Sequence, residues 1–229
     1  MTALRILAEA HWPDPDRTAP GRPDPLPPVP GFSASTFNPL VAETAERCLR
    51  AHHGTAPAPG RTALLLASAG GDRATARAID EAAASGRRVP PLLFFQSNPN
   101  AVLGHIAARW GLTGPVVAIS PAEPPPAGQV PQDVLDLAAL LLADGDADHV
   151  LVIAAEQGEP AGEPATGTSP EPGAGTGART GTGTGTDRAR DAGPTTPTDR
   201  AGTDRPPTDR AGTDPSGTDR AVAVLVTAG

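Results

Sequence analysis

Residues 94–120 read FFQSNPNAVLGHIAARWGLTGPVVAIS, and their reading decides the fold because apolar, polar and turn-forming residues follow one another there in a specified order. The stretch opens with the apolar pair Phe94-Phe95 and turns at Ser97-Asn98-Pro99-Asn100. It continues with Val102, Ile106 and Arg109-Trp110 on adjacent helical turns. Gly111 stops the helix, Gly114-Pro115 turns the chain again, and the β-branched run Val116 to Ile119 closes the stretch. A loop, a helix and a buried strand are predicted.

Upstream, Thr62 to Ala69 (TALLLASA) is a short continuous apolar run closed by Gly70-Gly71, the pattern of a buried strand. Asp72 then caps a helix that runs to Ser85 and ends at Gly86. Strand, glycine pair and helix also open a phosphate-binding turn. Here the spacing fits neither GxGxxG nor a Walker loop, and Asp72 puts a carboxylate where a phosphate would sit. Further upstream, Asn38 caps a helix with Pro39 at its first position, and Leu40, Val41, Thr44, Cys48 and Leu49 recur at helical spacing up to Gly54. Leu4, Ile6 and Ala8 alternate in residues 3–10, which reads as a first strand, a helical turn being the alternative. Between these lies a Pro-rich loop, residues 13–34, whose prolines exclude helix and central strand and favour extended polyproline geometry. Its PLPPVP string could dock a proline-reading module, or simply cover the surface.

Downstream, Ser120 to Pro131 is a proline-rich loop. Gln132 to Ala143 sets Val134, Leu135, Ala138, Leu141 and Leu142 on one helical face, and Gly145 ends it. His149 to Ala155 is another buried strand, and Ala221 to Thr227 is strand-like again. Residues 157–219 between them have no apolar periodicity, and from Thr198 they repeat TDRAG-type units of five residues. Five matches neither helix nor strand period, and no hydrophobic groups offset ordering entropy, so a disordered low-complexity insertion is expected. Strands and helices otherwise alternate, which implies an α/β sheet covered on both faces.

Composition narrows the chemistry. With 29 prolines, 26 glycines and 3% aromatic residues, the packed part is smaller than 229 residues suggest. A net charge of -8 argues against nucleic acid or an anionic membrane as partner. No apolar run reaches bilayer length and the first residues lack a signal peptide's apolar core, so a cytoplasmic location is expected. The single cysteine, Cys48, excludes an internal disulfide and sits mid-helix in an apolar stripe, where it reads as packing. His52 and His53 are adjacent on a helix, so their side chains diverge and a shared metal is not expected. Asp144, Asp146 and Asp148 alternate like the start of a calcium loop, but His149 and Ala155 stand where glycine and glutamate belong, which leaves a solvated turn. No metal and no cofactor are expected.

With the elements in this order, the chain resembles the N-terminal half of the β-ketoacyl synthases, within the thiolase-like fold. The resemblance rests on the apolar strand with its small-residue turn (Ser68 to Asp72), on Ser97, Asn100, Ala101 and Gly104, and on Gly114-Pro115 before the next strand. It spans residues 35–156 and the final strand (220–229), with the first strand (1–12) outside, and implies a mixed five-stranded sheet with helices on both faces. The family's cysteine nucleophile would stand beyond Gly114-Pro115, where this chain has Ser120 to Gln129 and no cysteine; its other catalytic residues belong to a half that is not in this sequence. Gln129 reads in two ways, as the glutamine that replaces the nucleophile in chain-length-factor subunits or as an ordinary loop residue; Ser120 is a weaker substitute nucleophile. The resemblance thus implies a non-condensing accessory subunit that pairs with a complete synthase as a dimer, with acyl carrier protein as a further partner. The alternatives are a residual decarboxylase or acyltransferase acting on acyl carrier protein, or a decayed fragment. In the family the strand corresponding to Val116 to Ile119 lies at the dimer interface.

Overall fold

The continuous apolar runs become the centre of the sheet, and the shorter or alternating ones its edges. The computed structural model describes residues 3–14, 25–158 and 218–229. In chain order the elements are β1 (Leu4–Trp12), α1 (Phe37–His53), β2 (Thr62–Ala67), α2 (Arg73–Ala84), α3 (Pro91–Ser97), α4 (Pro99–Trp110), β3 (Val116–Ile119), α5 (Gln132–Ala143), β4 (His149–Glu156) and β5 (Arg220–Ala228). The strands form one sheet in the order β1-β5-β4-β2-β3. β4 is parallel to β2 and β2 to β3, whereas β5 is antiparallel to both β4 and β1. The mixed five-stranded α/β sheet is therefore the one expected.

Alternate residues of the buried strands feed two cores, as the period of two requires. Leu64, Leu66, Leu151, Ile153, Ala223 and Leu225 face α1 and α4, together with Cys48, Leu103 and Trp110. Ala63, Leu65, Val150, Val152, Val222 and Val224 face α5 through its Val134 and Ala138. One face of the sheet thus carries two helices and the other a single one.

Local signals explain most boundaries. Asp72 caps α2 by accepting from the Thr75 N–H at 2.9 Å, and Asn98 caps α4 by accepting from the Asn100 N–H at 3.0 Å, with Pro99 in the first turn. Gly111 ends α4 in the left-handed conformation, φ 68°. Gly114 is required by packing: a Cβ there would lie 2.6 Å from Ala63 N and Thr62 C of β2. Its N–H donates to Thr62 O at 3.1 Å, so this glycine sets how closely the start of β3 approaches β2.

Four readings are corrected. Asn38 is not the cap of α1; Thr36 holds that position, and Asn38 is buried in the first turn with its amide turned to partners far along the chain. Phe94-Phe95 do not enter from a loop but belong to α3, from which their rings project to solvent, 56% and 57% exposed. The strand Val116–Ile119 is an edge strand, with Val116 39% exposed, because only β2 pairs with it. The first apolar run ends as strand at Ala67, and Ser68 and Ala69 already belong to the turn. The PLPPVP string carries one isolated bridge, Val29 to Phe32. Residues 15–24 of the Pro-rich loop and nearly all of the insertion, 159–217, lie outside the described residues.

Candidate functional site

Three segments at one end of the sheet, two of them leaving strands and one joining two helices, meet around a cavity of about 50 Å³. The β2–α2 turn contributes Ser68, Gly71 and Asp72, the α3–α4 junction Gln96, Ser97 and Pro99, and the end of β3 Ala118, Ile119 and Ser120. The first turn of α1 closes the cavity with Phe37 and Asn38.

Its polar groups are tied together. Asn38 Nδ2 donates to Asp72 Oδ2 and to the Gln96 carbonyl, both at 3.1 Å. Asp72 also accepts from the Thr75 hydroxyl at 2.7 Å, and Gln96 Oε1 accepts from the Ala34 N–H at 3.1 Å. Asn38, Asp72 and Gln96 are all buried, so each of these bonds replaces hydration lost on folding. Of the side chains lining this cavity, Asn38 has its Oδ1 buried without a hydrogen-bond partner among the described residues. The lining therefore offers one open acceptor, three serine side chains and an apolar wall. Two of the serines are engaged, Ser68 Oγ accepting from the Gly71 N–H at 2.9 Å and Ser97 Oγ donating to Phe94 O at 3.0 Å. Neither cysteine nor histidine lines the cavity, so nothing in it supplies a thiolate or an imidazole base.

The β2–α2 turn does form an anion cradle, but the chain fills it. Ala69 N–H donates to Glu156 Oε1 at 2.6 Å and Gly70 N–H to Oε2 at 3.1 Å. With Glu156 in the cradle and Asp72 at the helix cap, a phosphate finds no donors there.

The residues singled out in the sequence are dispersed around this site. Ser120 is exposed at the mouth of the cavity. Gln129 is also exposed, precedes α5 by three residues, and lines a different, very small cleft with Glu156 and Arg220. The two are not brought together in either space. Asn100 is exposed beside the Asn98 cap, Ala101 packs against the core, and Gly104 faces open space in mid-helix. Gly114 and Pro115 lead into β3, where the Pro115 carbonyl accepts from the Leu64 N–H at 2.8 Å. Cys48 lies elsewhere, its thiol near the Ala8 carbonyl at 3.5 Å, and burial pushes it up to about 12, so it stays a thiol at neutral pH. Asp148 is not simply solvated, since its carboxylate accepts from the Arg61 N–H at 2.8 Å.

A larger groove, about 510 Å³, lies between α1, α4 and Pro27 to Pro30. At its centre Glu46 accepts from Trp110 Nε1 at 2.7 Å and from Arg109 Nε and a terminal nitrogen at 2.9 and 3.0 Å, with Arg50 at 2.5 Å. The Arg109 hydrogen bonds, with help from Trp110 and Arg50, outweigh partial burial and hold its carboxyl down to about 2. Sequence reasoning missed this hub because Arg109 and Trp110 stand more than 60 residues from Glu46, and Arg50 alone, one turn away, reads as an ordinary helix-surface pair. Among the described residues no group of histidine, cysteine, aspartate and glutamate side chains is arranged to hold a metal ion, and no helix is long and apolar enough to cross a membrane.

In sequence, no family model and no curated protein matches the chain. In structure it is similar to a chain of the complex between a ketosynthase and its chain length factor from Xenorhabdus doucetiae, with TM-score 0.55 and 16% identity over 100% of this chain and 80% of that one. It is equally similar to a β-ketoacyl synthase from Burkholderia phymatum, with TM-score 0.56 and 15% identity, and there it covers 60% of the other chain. At such identities what is shared is the fold, the mixed α/β sheet of the ketosynthases.

Proposed function

We propose that the chain is a non-condensing, ketosynthase-like accessory subunit of a polyketide or fatty-acid system that works by pairing with a complete synthase. The observation that carries this reading is the unpartnered border of the cavity. Among the described residues β3 has a neighbour on one side only, and α3 beside the same cavity exposes Leu92, Phe94 and Phe95 by 51%, 56% and 57%. An open strand edge next to three large apolar side chains on a seven-residue helix suits a protein partner better than water. The cavity without thiol or imidazole agrees with a role in pairing rather than condensation. A chain length factor bound to a ketosynthase, as in the Xenorhabdus doucetiae complex, is the arrangement this reading extends to the present chain. The test is co-expression with the complete synthase of the same pathway, followed by size-exclusion chromatography with light scattering. A stable heteromer that Phe94→Asp dissociates is expected. A monomer that ignores every synthase offered would overturn the reading.

A second reading follows from Ser120 at the cavity mouth, a residual decarboxylase or acyltransferase acting on acyl carrier protein. It requires turnover of malonyl-carrier that Ser120→Ala or Gln129→Ala abolishes. Equal rates in both variants and the parent remove it.

A further inference from the structure

At the opposite end of the sheet from the cavity, three histidines from distant parts of the chain converge. His52 and His53 end α1, and His149 begins β4. The ring centres of His52 and His53 are 4.6 Å apart, and His149 lies 6.0 and 6.1 Å from the two. The Trp110 ring stands 6.4 Å from His53. We infer that these three imidazoles form a proton-sensitive latch, closed when neutral, that holds the end of α1 and the connection to β2 against the start of β4 and releases them on acidification.

Geometry carries the inference. His53 Nε2, His149 Nδ1 and Thr62 Oγ1 are buried and have no hydrogen-bond partner among the described residues. Thr62 is fully buried and is the register partner of His149 in the parallel pair, so its hydroxyl is on the histidines' side of the sheet. A neutral imidazole has one donor and one acceptor, and protonation makes both nitrogens donors. The added donors would point into a region whose free atoms are a hydroxyl and a second imidazole.

The surrounding charges give little relief. On the β4 side, the Asp148 carboxylate is held by the Arg61 N–H at 2.8 Å and faces its guanidinium at 3.7 Å. On the α4 side, Trp110 is uncharged and donates to Glu46, which Arg109 and Arg50 neutralise. On α1, His52 is exposed at the helix C-terminus, with its ring next to both inner ones. Burial first, and the neighbouring histidines next, lower the proton affinity of His53; burial and then His52 do so for His149, against a smaller pull from Asp148.

The sign follows from linkage. Folding disfavours the protonated inner rings, so their contribution is fully present above the ordinary histidine range and is lost as pH falls below it. The bonds at stake are Gly54 N–H to Arg50 O at 2.9 Å, Thr55 N–H to His53 O at 3.0 Å and Ala58 N–H to Trp110 O at 2.9 Å.

Amide exchange on the full chain tests this, corrected for intrinsic pH dependence. Between about pH 7.5 and about pH 5.5, protection of Gly54 and Ala58 should fall about tenfold, while Leu65 and Val152 in the sheet keep theirs. His149→Gln should weaken the pH dependence and leave only the share of His53. His52→Gln, at an exposed position that leaves the core intact, should shift the profile toward a smaller loss, because a neighbour that lowers the proton affinity of both inner rings is gone. Protection that is the same at both pH values, or a pH profile that His52→Gln does not shift, would overturn the inference.

Discussion

Replacing residues 159–217 with an Asn-Gly turn should make the protein more stable. β4 and β5 are antiparallel neighbours whose last pair is Glu156 with Arg220, so the whole intervening segment is topologically a hairpin connection. Its two ends are already fastened. The Gly158 N–H donates to Asp219 Oδ1 at 3.1 Å, Thr36 Oγ1 donates to Asp219 Oδ2 at 2.5 Å, and Gln157 reaches Thr36 at 3.2 Å and the Ala74 N–H at 3.1 Å. Closing a connection of roughly 60 residues instead of roughly 6 costs (3/2)RT ln 10, about 2 kcal/mol, if the segment adds no contacts of its own. The shortened protein should therefore gain about 2 kcal/mol in urea denaturation, and about 4–8 °C in melting temperature for a chain of this size. The slope of the urea transition should stay the same, because a segment without contacts buries no surface to expose on unfolding. A variant that is less stable than the parent, or fails to fold, would refute the reasoning and assign the segment a packing role.

Two glycines should respond in opposite ways. Gly114→Ala drives a Cβ to 2.6 Å from the β2 backbone, which cannot yield as a side chain can, so a loss of about 3 kcal/mol in denaturant unfolding is expected. Gly104→Ala has open space around it in mid-helix and should stabilise the isolated chain by about 0.5–1 kcal/mol by the same measurement. Glu46→Gln keeps the shape of the groove but removes the charge that four donors share, and should cost about 2 kcal/mol at neutral pH. Since its folded pKa is depressed to about 2, the parent's advantage over this variant should persist above the usual carboxylate range and fade as acid titrations approach pH 2. Cys48, pushed up to about 12 by burial, should resist a thiol reagent in native buffer and react at once in denaturant, as an absorbance assay would show.

What was legible in the sequence was what is local. Asp72 and Asn98 meet their helices' free N–H groups within three residues, Gly111 ends α4 where the apolar period stops, and the runs of β2 and β4 are buried because nothing polar interrupts them. The short run Val116 to Ile119 could not disclose whether it sits at the centre or the edge, since period and composition are the same in both places and only the pairing with β2 decides. α3 was hidden for the complementary reason. Flanked by prolines and with only Gln96 buried, it has no apolar stripe for a pattern to reveal. Asn38 looked like a cap because its residue type suits one, yet its amide serves Asp72 and Gln96, 34 and 58 positions away. At the site itself, Ser120 and Gln129 were found by resemblance to a family, and the structure sets them in separate clefts. The third member of the histidine cluster, His149, comes from the far end of the core sequence, where adjacency rules for His52 and His53 had nothing to say.

The carboxylate of Glu156 in the β2–α2 cradle has one more consequence. It is a ruler for strand alignment. Side chains alternate along β4, so sliding this strand by one residue against β2 would carry the carboxylate to the other face and bring Ala155 or Gln157 opposite the waiting Ala69 and Gly70 amides. A sheet built from valine, leucine and alanine runs has many nearly equivalent alignments, and apolar contact alone separates them poorly. One buried acid that can reach its two donors from a single position rejects the rest.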